Sequence, residues 1–137
     1  MTFSIAGYCP RTGRFGVAVS SSSPAVAARC AYVRAGVGAA ASQNITDPRL
    51  GDRLLDLLAQ GGSADEAMAQ VVNETDLIQY RQLSVVDGSG GSTAFSGERV
   101  LGTYDIARAP YVASAGNLLA DLAIPAAMVS AFEQQPD

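Results

Sequence analysis

A hydroxyl side chain that stands second in the chain, Thr2, and a run of four serines, Ser20 to Ser23, are the residues best placed to do chemistry. A hydroxyl is a poor nucleophile without a base, and the usual bases are missing. The chain has no His, and all nine basic residues are Arg, which cannot release a proton in a protein. A Ser-His-Asp triad, a Cys-His pair, a Ser-Lys dyad and a Schiff-base lysine are therefore excluded within this chain. Carboxylates, thiols, Tyr and an amino terminus remain. Removal of Met1, which the small Thr side chain permits, would place a hydroxyl and a free α-amine on one residue. An α-amine with a pKa of about 7.7–8.0 has a sizeable neutral fraction at physiological pH and can serve as the hydroxyl's own base. If a hydrolytic nucleophile lies in this chain, Thr2 is the leading candidate. A retained Met1 would block that amine, and taken alone a Met-Thr start is more simply an ordinary first strand.

The elements around these residues follow from periodicity. Phe3, Ile5, Gly7 and Cys9 alternate with Ser4, Ala6 and Tyr8, Pro10 to Gly13 supplies turn chemistry, and Phe15, Val17 and Val19 alternate again. This predicts a hairpin. If Cys9 pairs with Arg14, the register places Phe3 opposite Ser20 and Thr2 opposite Ser21 to within one residue, so the chain start meets the serine run.

After Pro24, AVAARCAYVRAG fits either a helical turn or a strand, whereas the small residues of GVGAAAS suit a buried strand. Gln43 and Asn44 close that strand with amides that either enter a pocket or cap the next turn. Asp47 as N-cap, Pro48 at the first helical position and the Leu50, Leu54, Leu57, Leu58 stripe predict a helix ended by Gly61-Gly62. Ser63 and Glu66 form a capping-box pattern ahead of a second helix carrying Ala67, Met68, Val71 and Val72. From Tyr80 the period becomes two, and DGSGGS then joins two strands; without the Lys of a phosphate-binding loop it reads as a plain hairpin turn. Residues 98–109 read as irregular, YVASAG as a short strand, Asn117 as a tight-turn residue able to present an amide to a pocket, and Pro125 as the start of a last helix. The order of elements predicts an α+β layered sandwich, not a doubly wound sheet.

Length and composition bound the function classes. One domain spanning 1–137 is expected, large enough to bury a core without disulfides or metals. A net charge of -4 and a pI near 4.6 argue against nucleic acid and against anionic membrane surfaces. No signal-peptide pattern and no membrane-length apolar run is present, which makes the cytoplasm the expected location. Cys9 and Cys30 lack metal-like spacing and read as free thiols; no cofactor or metal is expected.

The segments TFSIAGYCPRTGRFGVAVSSSSPAV, RAGVGAAASQN, LLAQGGSADEAM and VASAGNLLA resemble, in order and spacing, a DUF1028-type bacterial family of unknown function assigned to the N-terminal-nucleophile (Ntn) hydrolase superfamily. The resemblance covers nearly the whole chain. It implies an αββα four-layer sandwich and hydrolysis of a small amide or ureide, with Thr2 as nucleophile and base. Ser22 falls where relatives carry Ser followed by Lys, and would help position Thr2; Ser23 stands at the Lys place, so that cation is missing. Asn44 and Asn117 match the family's amide-bearing positions and would contact the oxyanion or substrate, where a lost donor costs about 2.7–4 kcal/mol. Relatives continue past the Glu133-Gln-Gln-Pro-Asp end, which implies a missing C-terminal part and pairing with a second chain or another copy. Two further readings stay open: a non-catalytic binding or assembly subunit, and one chain of a cleaved pair whose nucleophile lies on the other. Arg34, Arg99 and Arg108 are candidates to hold a substrate carboxylate, and surface pairing explains each of them as well.

Overall fold

The structure is a computed structural model that describes residues 1–135. The last two positions of the expected 1–137 domain lie outside the described residues. Strands β1 (Thr2–Cys9) and β2 (Arg14–Ser21) form the hairpin, with Cys9 opposite Arg14, Phe3 opposite Ser20 and Thr2 opposite Ser21. The ambiguous stretch after Pro24 resolves into both alternatives, a single turn α1 (Ala27–Cys30) leading directly into β3 (Ala31–Arg34). Strand β4 (Gly38–Gln43) follows, with all six residues buried. Gly38 is required there, because a Cβ would stand 2.7 Å from the Val86 carbonyl of the neighbouring strand.

Helix α2 (Arg49–Ala59) starts one residue later than the sequence suggests. Pro48 flanks it, and Asp47 still accepts the Arg49 N–H at 3.1 Å while its carboxylate brackets the Arg49 guanidinium at 2.9 and 2.7 Å. These contacts, led by the side-chain bond from Arg49, hold the Asp47 carboxyl below the usual carboxylate range. In α3 (Ala64–Glu74) the Ser63–Glu66 capping box forms as expected.

Strands β5 (Gln82–Asp87) and β6 (Ser92–Ser96) make the second hairpin. Asp87 takes the N–H groups of Ser89, Gly91 and Ala64, at 2.8, 2.9 and 2.9 Å. The donors of the Gly-Ser tip are thus consumed inside the turn, as suits a structural hairpin. The segment expected to be irregular contains a strand, β7 (Asp105–Ala109), paired with β8 (Val112–Asn117). Its sequence reads as irregular because it is an edge strand, whose charged Asp105 and Arg108 break the apolar alternation. The linking turn uses Pro110 and a left-handed Tyr111 (φ 73°). Helix α4 (Ile124–Gln134) ends the described chain.

The strands form two four-stranded antiparallel sheets, β2-β1-β8-β7 and β3-β4-β5-β6, which pack face to face. Helices α2 and α3 cover the outer face of the second sheet, and α4 lies on the outer face of the first. The main core sits under α2 and α3, where Leu54, Leu55, Leu58, Met68 and Val71 meet Leu83 and Val85. Each such side chain, fully buried, is worth about 1.5–3 kcal/mol. The opposite face of β5 carries Gln82, Ser84 and Val86 into the space between the sheets. Burial on both faces explains why β5 shows no clean alternation. Val86 there packs with Ala6, Ala39 and Ala113, so the middle of the molecule is built of small side chains and amides. Among the described residues no helix is long and apolar enough to cross a membrane.

Candidate functional site

Thr2 is flanked on both sides: Ser21 is its register partner on β2 and Asn117 its partner on β8. Residues directly opposite in an antiparallel sheet project to one face, so Ser21, Thr2 and Asn117 form a row at the end of the first sheet. That face looks toward the second sheet, because Ser4, two residues on, reaches Gln43 of β4 at 2.7 Å. The main chain is oriented as well. Tyr8 N donates to Tyr111 O at 2.9 Å, and alternate residues of a strand donate to the same side, which directs the Thr2 nitrogen toward β8.

Hydroxyl geometry sets a direction along the row. Thr2 Oγ1 lies 2.8 Å from Ser21 Oγ, and Ser21 Oγ donates to Met1 O at 3.1 Å while accepting the Ser23 N–H at 3.1 Å. With its one proton on Met1 O, the Ser21 hydroxyl accepts from Thr2. Ser22, singled out from sequence, touches Met1 instead: its Oγ accepts from the Met1 ammonium at 3.1 Å, and its N–H donates to Met1 O at 3.1 Å. Ser21 is therefore the direct partner of the Thr2 hydroxyl. Its signal was present in the hairpin register, which already set it opposite Thr2.

Asn117 ends β8 rather than sitting in a tight turn, is 3% exposed, and donates from Nδ2 to Gln82 Oε1 at 3.2 Å. Gln82 belongs to a buried network between the sheets. Gln43 Nε2 donates to Gln82 Oε1 at 2.7 Å and to Ala115 O at 3.2 Å, and Gln82 Nε2 donates to Ser96 Oγ at 2.6 Å and Gly116 O at 2.9 Å. The strand carbonyls can only accept, so they turn both amide nitrogens toward β8. That leaves Gln82 Oε1 as the acceptor for Gln43 and Asn117. Gln43 thus takes up the interior alternative foreseen for it; Gln82, between Arg81 and Leu83 at the start of its strand, carried no sequence signal. Asn44 is differently engaged: its Nδ2 donates to Tyr80 O and its Oδ1 accepts the Leu101 N–H at 3.1 Å. The Asn44 amide ties the 44–46 turn to the segment carrying Leu101.

All four residues expected at the site, Thr2, Ser22, Asn44 and Asn117, line one cavity of about 360 Å³, with Gln43 and Arg29 also on its wall. That volume lies toward the low end of the roughly 300–1,000 Å³ of small-molecule pockets. Asn44, Ile45 and Leu118, all on its wall, are left-handed at φ 58°, 44° and 51°. For a β-branched residue such as Ile45 this is an outlier of the kind that clusters at functional sites. A larger cavity of about 660 Å³ beside α2 contains none of these residues, and its walls carry already paired charges such as Arg53–Glu74 and Arg49–Asp47. Among the described residues no group of three or more His, Cys, Asp and Glu could hold a metal ion. Both cysteines are free.

The model of the family of unknown function DUF1028 matches residues 2–137. The chain belongs to that family. The crystal structure of protein SPO2555 from Silicibacter pomeroyi, also carrying the DUF1028 family model, superposes on this DUF1028 chain with a TM-score of 0.91 at 28% identity. The match covers 96% of this chain and 61% of that one, so the DUF1028 chain described here spans less than two thirds of its neighbour's length. No curated protein matches.

Proposed function

We propose that the chain is an Ntn-type amidohydrolase whose nucleophile is Thr2, freed by removal of Met1. Two face-to-face sheets covered by α2 and α3 on one side and α4 on the other are the layering expected of an αββα Ntn sandwich. The observation that carries the reading is the Thr2 hydroxyl held at 2.8 Å by Ser21 on the wall of a cavity that Asn44 and Asn117 also line.

In this mechanism the neutral Thr2 amine takes the hydroxyl proton as Oγ1 bonds to the substrate carbonyl carbon. The carbonyl π pair moves to oxygen. Donors next to Thr2 stabilise that oxyanion: the Ser22 N–H and the Ser21 and Ser22 hydroxyls, which now serve Met1 O, and the second N–H of Asn117, with that of Asn44 elsewhere on the cavity wall. Collapse breaks the C–N bond, and the departing amine takes the proton held by the Thr2 ammonium. Water, deprotonated by the same amine, then attacks the ester, releasing the acid and restoring Thr2.

The test is intact-mass analysis with and without a small β-lactone. The expected result is a chain lacking Met1 that gains one adduct on Thr2, retained in Thr2→Ser and lost in Thr2→Ala. Quantitative retention of Met1 in a preparation that hydrolyses amides would falsify the mechanism. The Met1 contacts favour a second reading, in which an unprocessed chain uses the same cavity for binding alone; a native chain with Met1 intact and no adduct would support it.

A further inference from the structure

Resting on the reading of this cavity as an amidase site, we infer that its substrate is a small amide bearing both a carboxylate and an apolar group, with Arg29 as the anchor for the carboxylate. The three arginines noted from sequence are engaged elsewhere. Arg34 pairs with Asp56 at 2.8 Å, Arg108 with Asp65 at 3.2 Å, and Arg99 donates to Tyr80 Oη at 2.9 Å and lies over its ring. Among the described residues, Arg29 is the one charged side chain that lines the Thr2 cavity, and no carboxylate lines it. It is also differently held. One terminal nitrogen, Nη1, donates to the carbonyls of Pro24 and Ala25 at 3.1 and 3.4 Å, and no acidic partner faces it among the described residues. The guanidinium is thereby pinned to the 24–25 turn with Nε and Nη2 left over, the edge with which Arg grips a carboxylate through two parallel hydrogen bonds.

The apolar part of the substrate is indicated by the same wall. Ile45, Leu101 and Leu118 expose 53, 48 and 48% of their surface, and all three line the cavity that holds Thr2 and Arg29. Asn44 fixes this arrangement by joining the Ile45 turn to Leu101. A cationic fork, an apolar patch and a nucleophile around one small cavity match an N-acyl amino acid in chemical class. An acid-free wall would reject a cationic analogue only weakly, but an anion gains a partner that a neutral amide cannot use.

The experiment compares N-acetyl-L-leucine with its neutral isostere N-acetyl-L-leucinamide by NMR titration of the isotopically labelled full chain, in wild type, Arg29→Met and Arg29→Lys. The expected result is that the acid shifts the Arg29 Nε and the Ile45 and Leu118 methyl signals and binds at least tenfold tighter than the amide. Arg29→Met should remove that preference and Arg29→Lys keep part of it. Equal affinities for acid and amide in wild type overturn the inference, and this comparison decides even if Arg29→Met does not fold. An acid preference untouched by Arg29→Met overturns it too. Binding is read separately from Thr2 adduct formation. A chain that binds the acid through Arg29 yet never forms an adduct keeps the subsite and loses the hydrolase reading; an adduct-forming chain indifferent to the carboxylate does the reverse.

Discussion

Replacing Gln82 by Met tests whether the amide network between the sheets is a structural necessity and the support of Asn117. Methionine keeps the length and most of the volume of glutamine but can neither donate nor accept strongly. The substitution strands one N–H of Gln43 in the interior, removes the Gln82 bond to the Gly116 carbonyl, and releases the Asn117 Nδ2 at the cavity wall. Each buried group left unsatisfied costs about 1–3 kcal/mol, so Gln82→Met should destabilise by about 2–5 kcal/mol, a large part of the roughly 5–15 kcal/mol available to a domain. Gln43→Met should cost about 1–3 kcal/mol by stranding the Ser4 hydroxyl, while Gln82 Oε1 keeps the Asn117 N–H. Removing both partners deletes their mutual bond without orphaning either end. The double variant should therefore fall short of the sum by about 1–3 kcal/mol. The chain has no Trp, so urea unfolding followed by far-ultraviolet circular dichroism is the suitable assay. Single variants costing less than about 0.5 kcal/mol, or a double equal to the sum within about 0.5 kcal/mol, would refute the reasoning.

Two further outcomes follow from the packing and the caps. A Cβ at Gly97 runs into the main chain of Gln79, which cannot swing aside, whereas one at Gly16 meets nothing within 4 Å; Gly97→Ala should lower Tm by many degrees and Gly16→Ala leave it nearly unchanged, as calorimetry will register. The backbone and side-chain bonds from Ser63 hold the Glu66 carboxyl below the usual range. A carboxyl with a depressed folded-state pKa stabilises fully above its unfolded pKa and loses that contribution as pH falls through the folded value. Acid unfolding should thus show a stability slope below the ordinary glutamate range that Ser63→Ala weakens, alongside a pH-independent capping loss of about 0.5–2 kcal/mol.

The first hairpin was legible because its loop length and its period-two pattern each imply the same register. Thr2 opposite Ser21 then follows from counting alone. The helices were legible too, since Ser63 and Glu66 state a boundary chemically, whereas Asp47 and Pro48 mark α2 only to within a residue. What the sequence hid was everything that depends on the two sheets meeting. Gln82 stands between Arg81 and Leu83 at the start of β5 and looks like a polar strand end until the opposing carbonyls of β8 are in place. Arg29 shares its four-residue turn with alanines, and nothing local distinguishes it from Arg34, five residues on, which faces Asp56 instead. Strand β7 is hidden in the sequence for a third reason: edge positions accept charge, and charge reads as loop.

Filling the middle of a sandwich with alanine, serine and paired amides has a mechanical consequence. Oily side chains tolerate sliding, because one greasy contact replaces another at little cost, whereas the Gln43–Gln82 stitches to Ala115 and Gly116 hold only at a single lateral offset. The sheets should therefore move as one block, without shear. Any breathing that opens the Thr2 cavity then falls to the Ile45 turn and the Leu101 segment on its wall, which Asn44 holds together.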